Sequence, residues 1–223
     1  MELMSKRLPQ RGKHPYISLP HRDFLSQGAE VNREEKDGST ALHIASQNGH
    51  LDVTKHLISQ GADVNKGNYN GCTALYIAAQ NGHLDVTKHL ISQGADVNKG
   101  NYNGSTALYI AAQNGHLDSQ NGHLDVTKHL ISQGADVNKG NYNGSTALYI
   151  AAQNGHLDNG HLDVTKHLIS HGADVNKGNY NGCTALYIAA QNGHLDVTKH
   201  LISQGLRMVI LMSPNISLVK ELM

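Results

Sequence analysis

Between residues 70 and 98 the apolar positions fall into two short clusters, separated by polar gaps that carry glycine. The first cluster, Ala74 to Gln80, is alanine-rich and favours a helix. Thr73 stands where its hydroxyl can cap that helix, and Asn81-Gly82 stops it. In the second cluster Val86, Leu90 and Ile91 are spaced i, i+4 and i+5, which makes one apolar stripe on a helix running from Val86 to Gln93. Asp85 is expected at its N-cap, and Gly94 ends it. Leu84 carries the apolar patch across the turn between the two helices. The stretch from Ala95 to Gly104 is polar, and its Asn103-Gly104 pair signals a tight hairpin turn.

This two-helix pattern recurs along most of the chain. The block from Asn70 to Asn98 returns almost verbatim, and the phase glycines Gly38, Gly71, Gly104, Gly144 and Gly182 are 33, 33, 40 and 38 residues apart. Five units follow at 37–69, 70–102, 103–142, 143–180 and 181–205. A partial unit at 21–36 precedes them, because Phe24 to Asn32 reads as the end of a second helix and the entry to a hairpin. Residues 1–20 read as a tail without regular structure. Residues 206–223 leave the pattern: Met208 to Met212 is apolar, Pro214 breaks it, and the segment is a candidate cover for the last unit.

The unit resembles the ankyrin repeat. A period near 33, the Thr-x-Leu helix start, Gly-His-Leu-Asp and Gly-Ala-Asp-Val-Asn all agree in phase from Asp37 to Gly205. The resemblance implies an all-α solenoid of helix–turn–helix units joined by β-hairpin-like loops, with hairpin tips and the first helix forming a concave binding surface. It also implies a protein-binding scaffold or adaptor. Two departures matter. The family's proline after threonine is Ala41, Ala74, Ala107, Ala147 and Ala185 here. The family's histidine survives only as His43 and is Tyr76, Tyr109, Tyr149 and Tyr187 elsewhere, so the Thr–His hydrogen bond is expected in one unit only.

Two units carry duplicated turns, at 114–125 and 154–163. An α-helix turns about 100° per residue, so seven extra residues rotate a stripe by about 700° and five by about 500°. Helix extension could absorb the first insertion but not the second, and Gly115 and Gly155 favour loops in both. Lengthening a loop from about 4 to 11 residues costs only about 1 kcal/mol, so two bulged loops on a regular stack are expected. Fusion of two units by loss of intervening residues is an alternative origin.

Composition narrows the function classes. The chain has 18 basic and 18 acidic side chains and no basic stripe, which argues against nucleic acid or an anionic membrane as the main partner. With no Trp and one Phe, the core must be thin layers of Leu, Ile, Val and Ala. The N-terminus lacks the apolar run of a secretory signal and no segment is long enough to span a bilayer, so an intracellular, cytoplasmic and monomeric protein is expected. Cys72 and Cys183 lie three units apart, about 30 Å at helix-packing distance, and cannot bridge.

No phosphate loop, zinc-protease motif or nucleophile elbow occurs, so no enzyme, cofactor or metal site is expected. The 16 histidines could form a metal ladder, with His83 near Asp85. Turn histidines that bond backbone between units account for them better, because no i, i+4 histidine pair is expected on one helix and no unit supplies a full ligand set. Their protonation is expected to weaken the fold at mildly acid pH.

The candidate partner-binding residues are the hairpin triplets Lys66, Asn68 and Tyr69; Lys99, Asn101 and Tyr102; Lys139, Asn141 and Tyr142; and Lys177, Asn179 and Tyr180. Exposed tyrosine is a favoured interface anchor, although the rings could equally pack on neighbouring hairpins as a ladder. Identical tips suit a repetitive or multivalent partner. The alternatives are a structural spacer or a piece of a larger multidomain ankyrin protein.

Overall fold

A computed structural model describes residues 28–115, 122–155 and 159–212. The chain divides into a segment 1–30, of which 28–30 are described, and a compact unit 31–223 that carries every element below. Ten helices are present among the described residues, arranged as five pairs: α1 (Ala41–Gln47) with α2 (Leu51–Ser59), α3 (Ala74–Gln80) with α4 (Leu84–Ser92), α5 (Ala107–Gln113) with α6 (Gly122–Ser132), α7 (Ala147–Asn154) with α8 (Asn159–Ser170), and α9 (Ala185–Gln191) with α10 (Leu195–Met212). Each helix packs on its own partner and on the equivalent helix of the adjoining pairs. The described residues contain no strand; a single antiparallel bridge joins Gly67 and Thr73 in one connecting loop. The architecture is the all-α stack of helix pairs and hairpin-like loops that the sequence predicts.

The first helices start as expected. Thr73, Thr106, Thr146 and Thr184 each accept a hydrogen bond on Oγ1 from the backbone N–H of the tyrosine three residues on, at 3.2–3.3 Å. The second helices start earlier than expected. Leu84 is already helical, His83 is the N-cap, and Asp85 lies in the first turn. There its carboxylate complements the helix dipole without capping.

Alanine sets the spacing of the stack. Ala78, Ala79, Ala111, Ala112, Ala151 and Ala152 are completely buried, together with Leu90, Leu130 and Leu168 from the second helices. With only a methyl group on that face, successive first helices approach closely, and leucines from both helices fill the remaining layer. Val86 and Leu90 of the expected stripe are core residues, and Ile91 packs against them half-buried.

The duplicated turns are handled differently from the expectation of pure loops. α6 begins two residues before Leu124, and α8 begins three residues before Leu162, the positions equivalent to the Leu84 start of α4; α7 gains one residue at its end. Helix extension takes up part of each insertion, because rotation of the stripe matters only when both ends of a helix are fixed. Residues added at the free N-terminus leave the register of everything after them untouched. The rest of the insertions, 116–121 and 156–158, lies outside the described residues. Gly155 has φ −59°, unlike the left-handed turn glycines, and a Cβ there would lie 2.9 Å from Val197 Cγ2. Close approach of the next unit, rather than turn geometry, is what requires glycine at this position.

The last pair also departs from the expected boundary at Gly205. Elsewhere the glycine that closes the second helix takes a positive φ, as in Gly94 at 88°, and Ala-Asp-Val-Asn follows. After Gly205 comes Leu-Arg-Met-Val, and α10 runs on to Met212. Good helix formers there outweigh the roughly 1 kcal/mol that an interior glycine costs. Of the candidate cover at 206–223, residues 213–223 fall outside the described residues, as do the tail at 1–20 and the start of the partial unit at 21–27.

Thr54, Thr87, Thr127 and Thr165 are fully buried on the second helices, and their hydroxyls have no hydrogen-bond partner. Valine has the same shape and a similar helix propensity. Thr87→Val is therefore expected to stabilise the chain by about 1 kcal/mol, the order of the penalty for a buried unpaired hydroxyl. Urea unfolding followed by circular dichroism measures it; a lower midpoint would contradict the assignment.

Candidate functional site

The loops between units are tied side by side by a repeated set of polar contacts. The asparagine that ends four of the Gly-Ala-Asp/Glu-Val-Asn blocks uses both ends of its amide. Asn98 accepts from the Asp136 N–H at 2.8 Å and donates to the Gly134 carbonyl at 3.1 Å, and both partners belong to the next unit. Asn32, Asn65 and Asn138 do the same one unit away, at 2.8–3.0 Å. Lysine closes the rung from the other side: Lys99, Lys139 and Lys177 donate through Nζ to the carbonyls of Asn65, Asn98 and Asn138, each at 2.7 Å. Lys66 reaches the Asn32 carbonyl at 3.3 Å and pairs with Glu34 at 2.9 Å.

The candidate asparagines shape the tips. Asn68 Oδ1 accepts from the N–H groups of Asn70 and Cys72, both at 3.0 Å. Asn101, Asn141 and Asn179 make the same pair of bonds within their own tips. The side-chain oxygen of each is thus committed to its own turn, and each lysine ammonium to a carbonyl of the preceding loop.

The tyrosines do two things at once. The N–H of Tyr102 donates to the Asn70 carbonyl of the preceding tip at 3.0 Å, and Tyr69, Tyr142 and Tyr180 repeat the bond to Asp37, Asn103 and Asn143. Each ring lies across the turn glycine of the preceding tip. A Cβ on Gly71, which has φ +75°, would come within 2.7 Å of the Tyr102 ring. Yet the side chains stay open to solvent, with exposures of 63% at Tyr69 rising to 81% at Tyr180. The ladder and the exposed ridge, set out above as alternatives, coexist. The first-helix tyrosines differ: Tyr76 is buried, and desolvation pushes its phenol up to about 12, while Tyr109 and Tyr149 are half-buried and shifted upward for the same reason.

Turn histidines supply a second row of cross-unit bonds. Nε2–H of His83 donates to the Gln47 carbonyl at 2.9 Å, and His123, His161 and His194 bond the Gln80, Gln113 and Gln153 carbonyls at 2.9–3.2 Å. Since a carbonyl only accepts, Nε2 of these rings carries the hydrogen. In the two long units the second copy of the duplicated turn provides the bonded histidine. In the first unit His43 Nδ1 lies 2.9 Å from Thr40 Oγ1, and its Nε2 lies 3.0 Å from the Cys72 carbonyl of the next unit. This is the one Thr–His bridge that the sequence predicts. Beside it is a cleft of about 340 Å³ between α1 and α3, lined by Asp37, His43, Gln47, Asn70, Cys72 and Gln80. Hydrogen bonds from Ser39 hold the Asp37 carboxyl below its ordinary range. Both cysteines are free and half-buried, and burial pushes the Cys72 thiol up.

The sequence profile of ankyrin repeats (3 copies) matches residues 21–101, 70–119, 97–159 and 118–210, so its overlapping matches run from 21 to 210. The chain belongs to the ankyrin-repeat family. No curated protein matches the chain. Ankyrin repeats are in general protein–protein interaction modules, and no described helix of this ankyrin-repeat chain is long and apolar enough to cross a membrane. The asparagine ladder is the feature that sequence reading missed. Its signal was present, since Asn32, Asn65, Asn98 and Asn138 recur in phase, but their partners are 29–38 residues ahead and invisible within a single unit.

Two outcomes follow from the ladder. Asn98→Ala removes two cross-unit hydrogen bonds at an exposed site and is expected to cost about 1–2 kcal/mol in urea unfolding; no loss would show that the rungs are idle. The second concerns acid. Burial first, and then nearby lysine, hold His129 (beside Lys88) and His200 (beside Lys166) below the ordinary histidine value of 6.5. Burial does the same at His43 between Asp37 and Lys66, against the opposing pull of Asp37 and backbone bonds. The unfolded chain therefore binds more protons than the folded one once pH drops below about 6.5, and stability rises with pH through that window. The urea midpoint is expected to be flat above pH 7 and to fall from 6.5 towards 5. A flat profile throughout would contradict it, and His129→Gln with His200→Gln should reduce the slope.

Proposed function

We propose that this ankyrin-repeat chain is a protein-binding scaffold that grips a repetitive or multivalent protein partner along its tips. The observation that carries this reading is the row of Tyr69, Tyr102, Tyr142 and Tyr180, aromatic rings fixed at the backbone by cross-unit hydrogen bonds while most of their surface meets water. A ring already held in place loses little conformational freedom on binding, which favours it as an anchor. Because the tips repeat, each weak contact would be multiplied by the next, so avidity rather than one tight epitope sets the affinity. The scaffold carries no chemistry of its own and works as a monomer in the cytoplasm, where its two free cysteines stay reduced.

The rival reading is a structural spacer, favoured by the near-identity of the units. The four substitutions Tyr69→Ala, Tyr102→Ala, Tyr142→Ala and Tyr180→Ala, combined in one chain, separate the two. A scaffold should lose at least tenfold in partner capture, read by pull-down and mass spectrometry against the unaltered chain, while its circular dichroism spectrum is retained. Capture undiminished in the substituted chain would leave the spacer reading standing.

A further inference from the structure

The second helices of the units end alike except in one place. Gln60, Gln93, Gln133 and Gln204 occupy the position before the closing glycine, but the unit at 143–180 has His171 there. This overturns the expectation that no helix carries an i, i+4 histidine pair: His171 stands four residues after His167, one helical turn on, so both side chains lie on the same face. Their ring centroids are 4.1 Å apart and the rings are tilted by 44°. Nδ1 of His171 lies 2.9 Å from the His167 carbonyl and 3.0 Å from Ser170 Oγ. The carbonyl can only accept, so Nδ1 carries the hydrogen and Nε2 of the neutral ring keeps its lone pair. One ring nitrogen anchored to the backbone and the other left as a donor pair is the disposition in which imidazole ligates a metal.

The separation is also close to what a chelate needs. Two imidazoles bound to one cation at about 2.0–2.1 Å, with an angle of roughly 90–110° between them, place their centroids about 4.5–5 Å apart. Small side-chain rotations open 4.1 Å to that value. Burial, His171 and Lys128 all favour the neutral form of the His167 ring, which is the ligating form.

We propose that His167 and His171 form a two-histidine chelate for a borderline divalent transition ion of the Zn²⁺ class, with water filling its remaining positions. Glutamine at 60, 93, 133 and 204 limits the chain to one such pair on its second helices. The bound ion would clasp the last turn of α8, next to the Gly172 carbonyl that receives Asn138, and so fasten one rung of the ladder.

The test is calorimetric titration of the full chain with Zn²⁺ at pH 7.5 in a non-coordinating buffer. One site per chain is expected, with at least tenfold weaker binding in His171→Gln and in His167→Gln. Glutamine is the residue that the other units carry at the position of His171, so the fold tolerates that change, and circular dichroism checks it. Gln133→His, which puts a second histidine one turn after His129, should raise the stoichiometry from one to two. Binding unchanged in His171→Gln, no saturable site in the unaltered chain, or no second site in Gln133→His would each overturn the assignment.

Discussion

Leu148 and Leu186 hold the same place in successive units, yet Leu148 is 1% exposed and Leu186 37%. The difference is a neighbour. A first helix of seven residues and a second of nine cannot bury their apolar faces on each other alone, and each pair becomes a folded unit only when the next pair covers it. Tyr187 and Ile202 show the same effect, exposed in the last unit where their counterparts Tyr76 and Ile169 are buried or half-buried. At the opposite end Val53 is exposed where Val86, Val126 and Val164 are fully covered. Stacking is therefore the source of the core, and everything at the tips depends on it.

The polar rows are the second consequence of stacking. Hydrophobic burial between alanine-rich helices is non-directional and fixes no register by itself. The asparagine, lysine and histidine bonds do, because each joins a named group in one unit to a named group in the next. An amide that both donates and accepts across the junction is satisfied at one offset only. This explains why polar residues of the repeated block vary so little from unit to unit, even where they are exposed. It also explains how the tips can present rigid tyrosines: their backbones are held from one side and their turns are closed by Asn68, Asn101, Asn141 and Asn179 from within.

What was legible in the sequence was local. Threonine caps, the Asn-Gly stops and the apolar stripe gave the helices, and the period gave the stack. The errors were also local in origin. Asp85 looked like a cap because aspartate favours that position, but the helix begins one residue sooner at Leu84. The insertions looked like loops because Gly115 and Gly155 were weighed as breakers; they do sit in turns after the first helices, but the second helices then start early, at Gly122 and Asn159. Gly205 looked like a terminus until the helix formers after it were weighed. The ladder escaped because its partners lie one unit away, whereas the His167–His171 pair was plain at i, i+4 spacing and was overlooked among the repeated turn histidines. The cleft between α1 and α3, where Asp37 and His43 replace the asparagine and tyrosine of other units, is a break in the periodic surface.

The central claim is that each pair is stable only through its neighbours. Native-state hydrogen exchange on the intact chain, resolved by helix, tests it most directly. Protection should be greatest in α3, α5 and α7, which are covered on both sides, and should fall towards α1 and α9 at the ends. Equal protection in α1, α5 and α9, or a maximum at either end, would show that the units fold independently and would contradict the account.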